Sequence, residues 1–292
     1  MCLYLQPFFA TKPSANAMKP DPIHQPDALR LALIGYPIAH SLSPSLFQAY
    51  CPYDLLETSS FQEGFHLFIT GNYWATNVTT PFKEEAYTYA DQASPICHLL
   101  KATNLLIKEK DGVHAYNTDY SAVCQLLRQH ICRPQHILVI GCGGAGKAAA
   151  SAVYTEGHHL YLANRNTQKA SDFIQALQSA NLPISTHNPS EKRICKPLSL
   201  DHIPAIWEQI NCVIITLPAA FNDSRFAKIL LEQDYTDKLV IEANYAAPLL
   251  KNAPQYLGGR LWLKAQAQPL IERISRVVQR DPNPTLDVSE RI

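Results

Sequence analysis

The chain has 292 residues, room for about two domains at ~150 residues each and for sizeable buried cores. Its 25 Lys+Arg balance 25 Asp+Glu, so the formal net charge is zero and the positive field expected of a nucleic-acid-binding surface is missing. Hydrophobic residues make up 47% and charged residues 17%, against ~25% charged in ordinary soluble chains, which excludes a disordered protein; no apolar run reaches the ~20 residues of a membrane span.

Residues 1–26 hold five prolines between Pro7 and Pro26 and read as an extended or disordered tail. They lack the basic start and long apolar stretch of a secretion signal, so a cytoplasmic location is expected, with Met18 as an alternative start. The predicted strands follow in order: Leu31 to Ile34, Asp54 to Thr58, Ala75 to Val78, Leu100 to Ile107, Ile137 to Ile140, Leu160 to Ala163, Val213 to Leu217 and Leu239 to Glu242. They alternate with helical patterns, which predicts an α/β fold: an α/β domain with a mainly parallel sheet, a Rossmann-like domain, and a cleft between them. Breaks are expected near Thr118 to Ser121 and near Gly258-Gly259, with helix over Leu263 to Val278. If that helix packs on the first half, 27–120 with 260–292 form a substrate-binding domain and 121–259 an inserted dinucleotide-binding domain. The eight cysteines are scattered and never form C-x-x-C, so reduced thiols and no metal site are expected.

The segment HILVIGCGGAGKAAASAV sets Gly141, Gly143 and Gly146 as G-x-G-x-x-G between a short apolar strand and an alanine-rich helix. Four of the chain's 11 glycines fall in these six residues. The spacing predicts a cofactor pyrophosphate resting on Gly141, Gly143, Gly144, Ala145 and Gly146, at the open N–H groups of a helix start. An acidic residue at the end of the next strand would hold a free ribose 2′-hydroxyl. Asn164 and Arg165 stand there instead, with Lys169 one turn on, so NADP is favoured over NAD.

In the first half, polar groups gather at the ends of predicted strands: Ser41 and Ser43 after the first, Asn77 and Thr79 near the end of the third, Asn104 within the fourth. That edge of an open α/β sheet is where ligands bind, and hydroxyls and amides suit a polyhydroxylated small molecule. Lys83, in Thr-Pro-Phe-Lys, and Asp119, in Asn-Thr-Asp, form a candidate acid/base pair if they face one substrate hydroxyl.

Seven segments, GYPIAHSLSPSLFQ (35–48), ATNVTTPFKEEA (75–86), KATNLL (101–106), YNTD (116–119), GCGGAGKA (141–148), ANRN (163–166) and WLKAQA (262–267), stand in the order of the shikimate dehydrogenase family, which the chain resembles over roughly residues 30–280. The resemblance implies NADP-linked reduction of 3-dehydroshikimate to shikimate by a monomer or homodimer, with no metal. It implies that Ser41 and Ser43 hold the substrate carboxylate and that Thr79, Asn104 and Gln266 hold ring hydroxyls, with Asn77 in support and Tyr245 nearby. Lys83 and Asp119 take the catalytic positions, and Ala243 and Gly259 fall at the nicotinamide end of the cofactor. Ser43, where quinate-using relatives tend to have threonine, leans towards shikimate.

Departures from the family pattern stand at Phe47 (commonly histidine), at Lys101, Thr103 and Leu105, at Tyr120 (commonly glycine), and at Ile215 and Leu217, where polar residues are usual. The spacers between Ser43 and Asn77 and between Tyr245 and Pro248 are short. Two other readings therefore stand beside the first: a dehydrogenase of quinate or another cyclic hydroxy acid, and a binding protein that kept the pockets without the activity.

Overall fold

The computed structural model describes residues 10–11, 29–185, 193–218 and 223–280. Apart from residues 10–11, the tail expected over 1–26 lies outside the described residues. The chain divides into two compact units, 1–118 with 267–292, and 119–266.

The first unit runs β1 (Ala10–Thr11), β2 (Leu31–Gly35), α1 (Ser43–Phe47), β3 (Tyr53–Glu57), α2 (Phe61–Thr70), β4 (Ala75–Val78), α3 (Lys83–Tyr89), β5 (Gln92–Ala93), α4 (Pro95–Leu100), β6 (Leu105–Glu109) and β7 (Gly112–Tyr116). Its sheet has the order β1-β5-β7-β6-β4-β2-β3. β2 is parallel to β3 and β4, whereas β6 runs antiparallel to both β4 and β7. Alternation along the strands feeds two cores, one on each face. Ala32, Ile34, Val78 and Leu106 pack with Phe61 and Phe68, and Leu31, Ala75, Leu105 and Ile107 pack with Trp74, Leu270 and Ile274.

Leu270 and Ile274 belong to this first unit through its 267–292 segment. The second unit, from Asp119 on, runs α5 (Thr118–His130), β8 (His136–Ile140), α6 (Gly144–Thr155), β9 (His159–Ala163), α7 (Thr167–Ser179), β10 (Cys195–Leu198), α8 (Ile203–Ile206), β11 (Cys212–Ile215), α9 (Ser224–Leu231), β12 (Leu239–Glu242), β13 (Gln255–Leu257) and the start of α10 (Gly259–Arg280), a helix whose residues from Ala267 on belong to the first unit. All the second unit's strands are parallel, in the order β10-β9-β8-β11-β12-β13. By position in the unit this is 3-2-1-4-5-6, the doubly wound dinucleotide-binding order. Such strands are buried on both faces, which is why HILVI and CVII read as unbroken apolar runs.

One predicted strand is corrected. Leu100 to Ile107 is not continuous: α4 ends at Leu100, Lys101 takes a left-handed conformation (φ 49°), and β6 begins only at Leu105. Asn104 therefore precedes the strand instead of lying within it. The cause is local competition by a side chain, because the Thr103 hydroxyl binds the Tyr116 carbonyl and accepts from Leu105 N–H. β5, β7, β10 and β13 escape the sequence reading. β10 carries Pro197, which fits its edge position, and β7 carries a buried His114 in its middle.

β6 also supplies a buried lysine. Lys108, 4% exposed, donates to the Ile69 and Gly71 carbonyls at the end of α2 at 3.0 and 3.1 Å. Burial pushes its amine down to about 8. The unfolded chain holds this proton up to about 10.5, so between about 8 and 10.5 it binds more protons than the folded one, and Lys108 makes stability rise with pH across that window. Buried thiols such as Cys124, pushed up to about 12, act in the opposite direction. Melts of the protein and of Lys108→Met, compared from pH 7.5 to 10, isolate the contribution: the protein is expected to gain ~2–4 °C on the variant. Parallel curves would refute it.

Candidate active site

In the first unit, the polar site grows from the carboxyl ends of β2 and β4. The loop after β2 carries Ser41, whose Oγ accepts from Ser43 N–H at 3.2 Å, and Ser43 opens α1 with its side chain buried. β4 carries Asn77, and Thr79 follows it with its N–H on the Ile34 carbonyl at 3.0 Å. Because β6 is antiparallel to β4, its beginning lies at this same edge: Val78 N–H donates to the Asn104 carbonyl at 2.9 Å. Asn104, 1% exposed, then accepts from Thr118 N–H through Oδ1 at 2.7 Å, and its Nδ2 donates to Thr118 Oγ1 at 3.0 Å.

Lys83 is the first residue of α3, and its carbonyl accepts from Thr103 N–H at 2.9 Å. A short chain of bonds thus links the start of α3, through residues 103 and 104, to Thr118. Asp119 follows Thr118 by one peptide bond, belongs to the second unit, and is 4% exposed. There its carboxylate accepts from Trp262 Nε1 at 3.2 Å.

Two residues that sequence reasoning missed complete the network. Tyr53, on β3, donates its hydroxyl to Asn77 Oδ1 at 3.0 Å, and Asn77 Nδ2 donates to the Asn104 carbonyl at 3.4 Å. Thr118 is the other. It lies within the Asn-Thr-Asp motif, and only Asp119 drew notice there. Tyr53 left no motif to find, since it meets its partner across 24 residues of sequence.

In the second unit, the glycine loop leaves β8 at the switch point between β8 and β11. Gly141 takes φ +101°, and a Cβ at Gly146 would collide with the Gly141 carbonyl oxygen. By contrast, a Cβ at Gly143 would meet nothing within 4 Å. The loop is thus tight where it packs and open where a phosphate would lie, and the start of α6 carries neither a side-chain cap nor an acidic residue. These features fit a pyrophosphate. Gly141, Cys142, Gly143, Asn164, Arg165 and Thr216 line one pocket. Gly144, Ala145 and Gly146 form the first turn of α6 beside it. Asn164 Oδ1 accepts from Cys142 N–H at 3.3 Å, and Lys169, with its side chain exposed, lies in the first turn of α7, which Asn166 caps.

Ala243 and Tyr245 follow β12 on the same sheet edge, and Gly259 packs so closely on them that a Cβ there would meet Ala243 O and Tyr245 N. Gln266 is half-buried on α10. Among the family departures, Ile215 is a core residue and Leu217 packs against that core. Tyr120 shares a hydrogen bond with Thr155 Oγ1 at 2.9 Å, joining α5 to the end of α6.

Residues 33–106 match the family model for the shikimate dehydrogenase substrate binding domain. The shikimate dehydrogenase (NADP(+)) of Carboxydothermus hydrogenoformans is 29% identical over 198 residues, 64% of this chain and 66% of that protein. In other curated relatives the matched segment covers 55% of the relative's length. A shikimate dehydrogenase (NADP(+)) of Dehalococcoides mccartyi strain BAV1 is 32% identical over 232 residues, 75% of this chain and 78% of that protein. Among solved structures, quinate dehydrogenase from Corynebacterium glutamicum in complex with NAD superposes with a TM-score of 0.70 at 19% identity, covering 85% of this chain and 94% of that one, a likeness of fold. With the D. mccartyi relative matched over more than two thirds of both chains, this protein belongs to the shikimate dehydrogenase family.

Proposed function

We propose that this chain is an NADP-dependent oxidoreductase that interconverts 3-dehydroshikimate and shikimate. The observation that carries the reading is the network of hydroxyls and amides, Ser41, Ser43, Asn77, Asn104 and Thr118, built at one sheet edge and tied by backbone hydrogen bonding to the start of the helix that bears Lys83. Relatives named shikimate dehydrogenase (NADP(+)) support it. In this reading Ser41 and Ser43 hold the substrate carboxylate, and Thr79, Asn104 and Gln266 hold ring hydroxyls, with Asn77 and Tyr245 beside them. Residues 27–120 with 260–292 serve the substrate and residues 121–259 the cofactor.

Bound NADPH supplies the hydride that reduces the substrate carbonyl carbon. The chain's own residues position the ring and deliver one proton to the carbonyl oxygen as it becomes a hydroxyl. Lys83 and Asp119 carry that proton, acting as acid in reduction and base in oxidation. Gly141, Gly143, Gly144, Ala145 and Gly146 hold the pyrophosphate, Asn164, Arg165 and Lys169 the 2′-phosphate end, and Ala243 and Gly259 the nicotinamide end. A cytoplasmic location accords with the seven described cysteines all being free.

NADPH oxidation on adding 3-dehydroshikimate is the expected result, run beside quinate with NAD or NADP in the reverse direction. Turnover of quinate alone would reassign the substrate. Turnover of neither, with NADP or shikimate still bound in a calorimeter, would leave a binding protein.

A further inference from the structure

Tyr53 is hydrogen-bonded to Asn77 within the polar network proposed for the substrate, and nothing in the family resemblance gives it a role. Its ring is stacked on Phe47, with centroids 5.1 Å apart and planes 6° from parallel, so the phenol has one position. Phe47 is itself one of the departures, standing where a histidine is common. Which end of the Asn77 amide is oxygen follows from the Asn104 carbonyl, a pure acceptor 3.4 Å from Nδ2, because flipping the amide would set two oxygens against each other. Oδ1 therefore faces Tyr53, and the phenol donates to it at 3.0 Å. Through Phe47 the Tyr53 ring packs on α1, the helix that Ser43 opens. Burial pushes the phenol's ionisation up, so it stays a donor across the neutral range. The hydrogen bonds run one way, from Tyr53 to Asn77 to the Asn104 carbonyl.

We propose that Tyr53 is a positioning residue for the substrate: its ring packs on α1, which opens with Ser43, and its hydroxyl holds Asn77, on β4, so that the two elements keep the spacing a cyclic hydroxy-carboxylate needs for its carboxylate and its ring hydroxyls. This inference rests on the function proposed above. It places the contribution of Tyr53 in substrate binding and leaves the cofactor untouched.

Tyr53→Phe keeps the stacked ring and removes only the hydroxyl. The shikimate KM is expected to rise about tenfold while the KM for NADP stays within about twofold, the loss of one part-buried hydrogen bond. In an Asn77→Ala background the same substitution is expected to change little, because its partner is already gone. A shikimate KM within about twofold of the unaltered protein, an equal rise in both KM values, or a full additional loss beside Asn77→Ala would each overturn the role. A readout free of turnover keeps this separate from the proposed function. The Asn77 side-chain amide, identified in nitrogen-15 spectra by its disappearance in Asn77→Ala, is expected to shift in Tyr53→Phe, and an unmoved signal overturns the positioning role. If the unaltered protein turns over no shikimate, the proposed function falls; the amide signal still decides whether Tyr53 orients Asn77.

Discussion

Lys83→Ala is expected to lower kcat for shikimate oxidation by about 10²–10⁴-fold, the range supplied by a positioned general acid or base. The reason lies in where the backbone puts the amine. Lys83 begins α3, and its carbonyl is anchored by Thr103 N–H at 2.9 Å, so the residue is held by the same loop that carries Asn104. Removing the amine leaves that loop and the Asn104–Thr118 bonds in place. Shikimate should therefore still bind within a few-fold, measured by calorimetry, while kcat and kcat/KM fall together, the mark of an interaction made in the transition state. Asp119→Asn keeps the shape and the Trp262 contact and tests the other member. A fall of less than about tenfold in both variants would remove the acid/base role and favour the binding-protein reading.

Arg165→Ala is expected to raise the KM for NADP by about 10–100-fold and that for NAD by less than about threefold, since charge-assisted hydrogen bonds to a phosphate contribute ~1.5–3 kcal/mol each. Arg165 is exposed immediately beyond the end of β9, beside Asn164, in the pocket that Gly141 and Gly143 also line. Asn166 accepts from Lys169 N–H at 3.0 Å and so caps α7, which sets Lys169 in the first turn of the helix that follows Arg165. The four residues 163–166 that leave β9 contain no carboxylate to repel a 2′-phosphate or to hold a free 2′-hydroxyl. Equal weakening of both cofactors would mean that Arg165 does not read the 2′-phosphate.

The departures from the family pattern acquire physical reasons once their neighbours are known. Phe47 supplies a flat face for Tyr53, and the Thr103 hydroxyl joins β6 to the end of β7. Tyr120, in place of a small residue, reaches Thr155 and ties α5 to α6. Ile215 lies 1% exposed among Leu138, Val213 and Val240, so the polar side chain usual at its position is exchanged here for core packing. Leu217 and Pro218 then present an apolar wall to the glycine-loop pocket. None of these reasons is a property of the residue alone.

Elements whose signal is local were legible from residue order: the apolar strands β2, β4, β8, β9, β11 and β12, the glycine loop opening α6, and the cations after β9, because a strand's period, a tight turn and a helix start are written in spacings of a few residues. Short or polar strands such as β5, β7 and β10 were not, since pairing with a neighbour, not composition, makes them strands. The same holds for the candidate site. Ser41, Ser43 and Asn77 were singled out by type and place and Asn104 by type, but Tyr53 joins their network only because β3 lies beside β2 and β2 beside β4, and Asn104 reaches that edge only because β6 reverses direction. Hydrogen bonds spanning 14 to 27 residues depend on which strand pairs with which, and that choice is settled by burying whole faces of the sheet together.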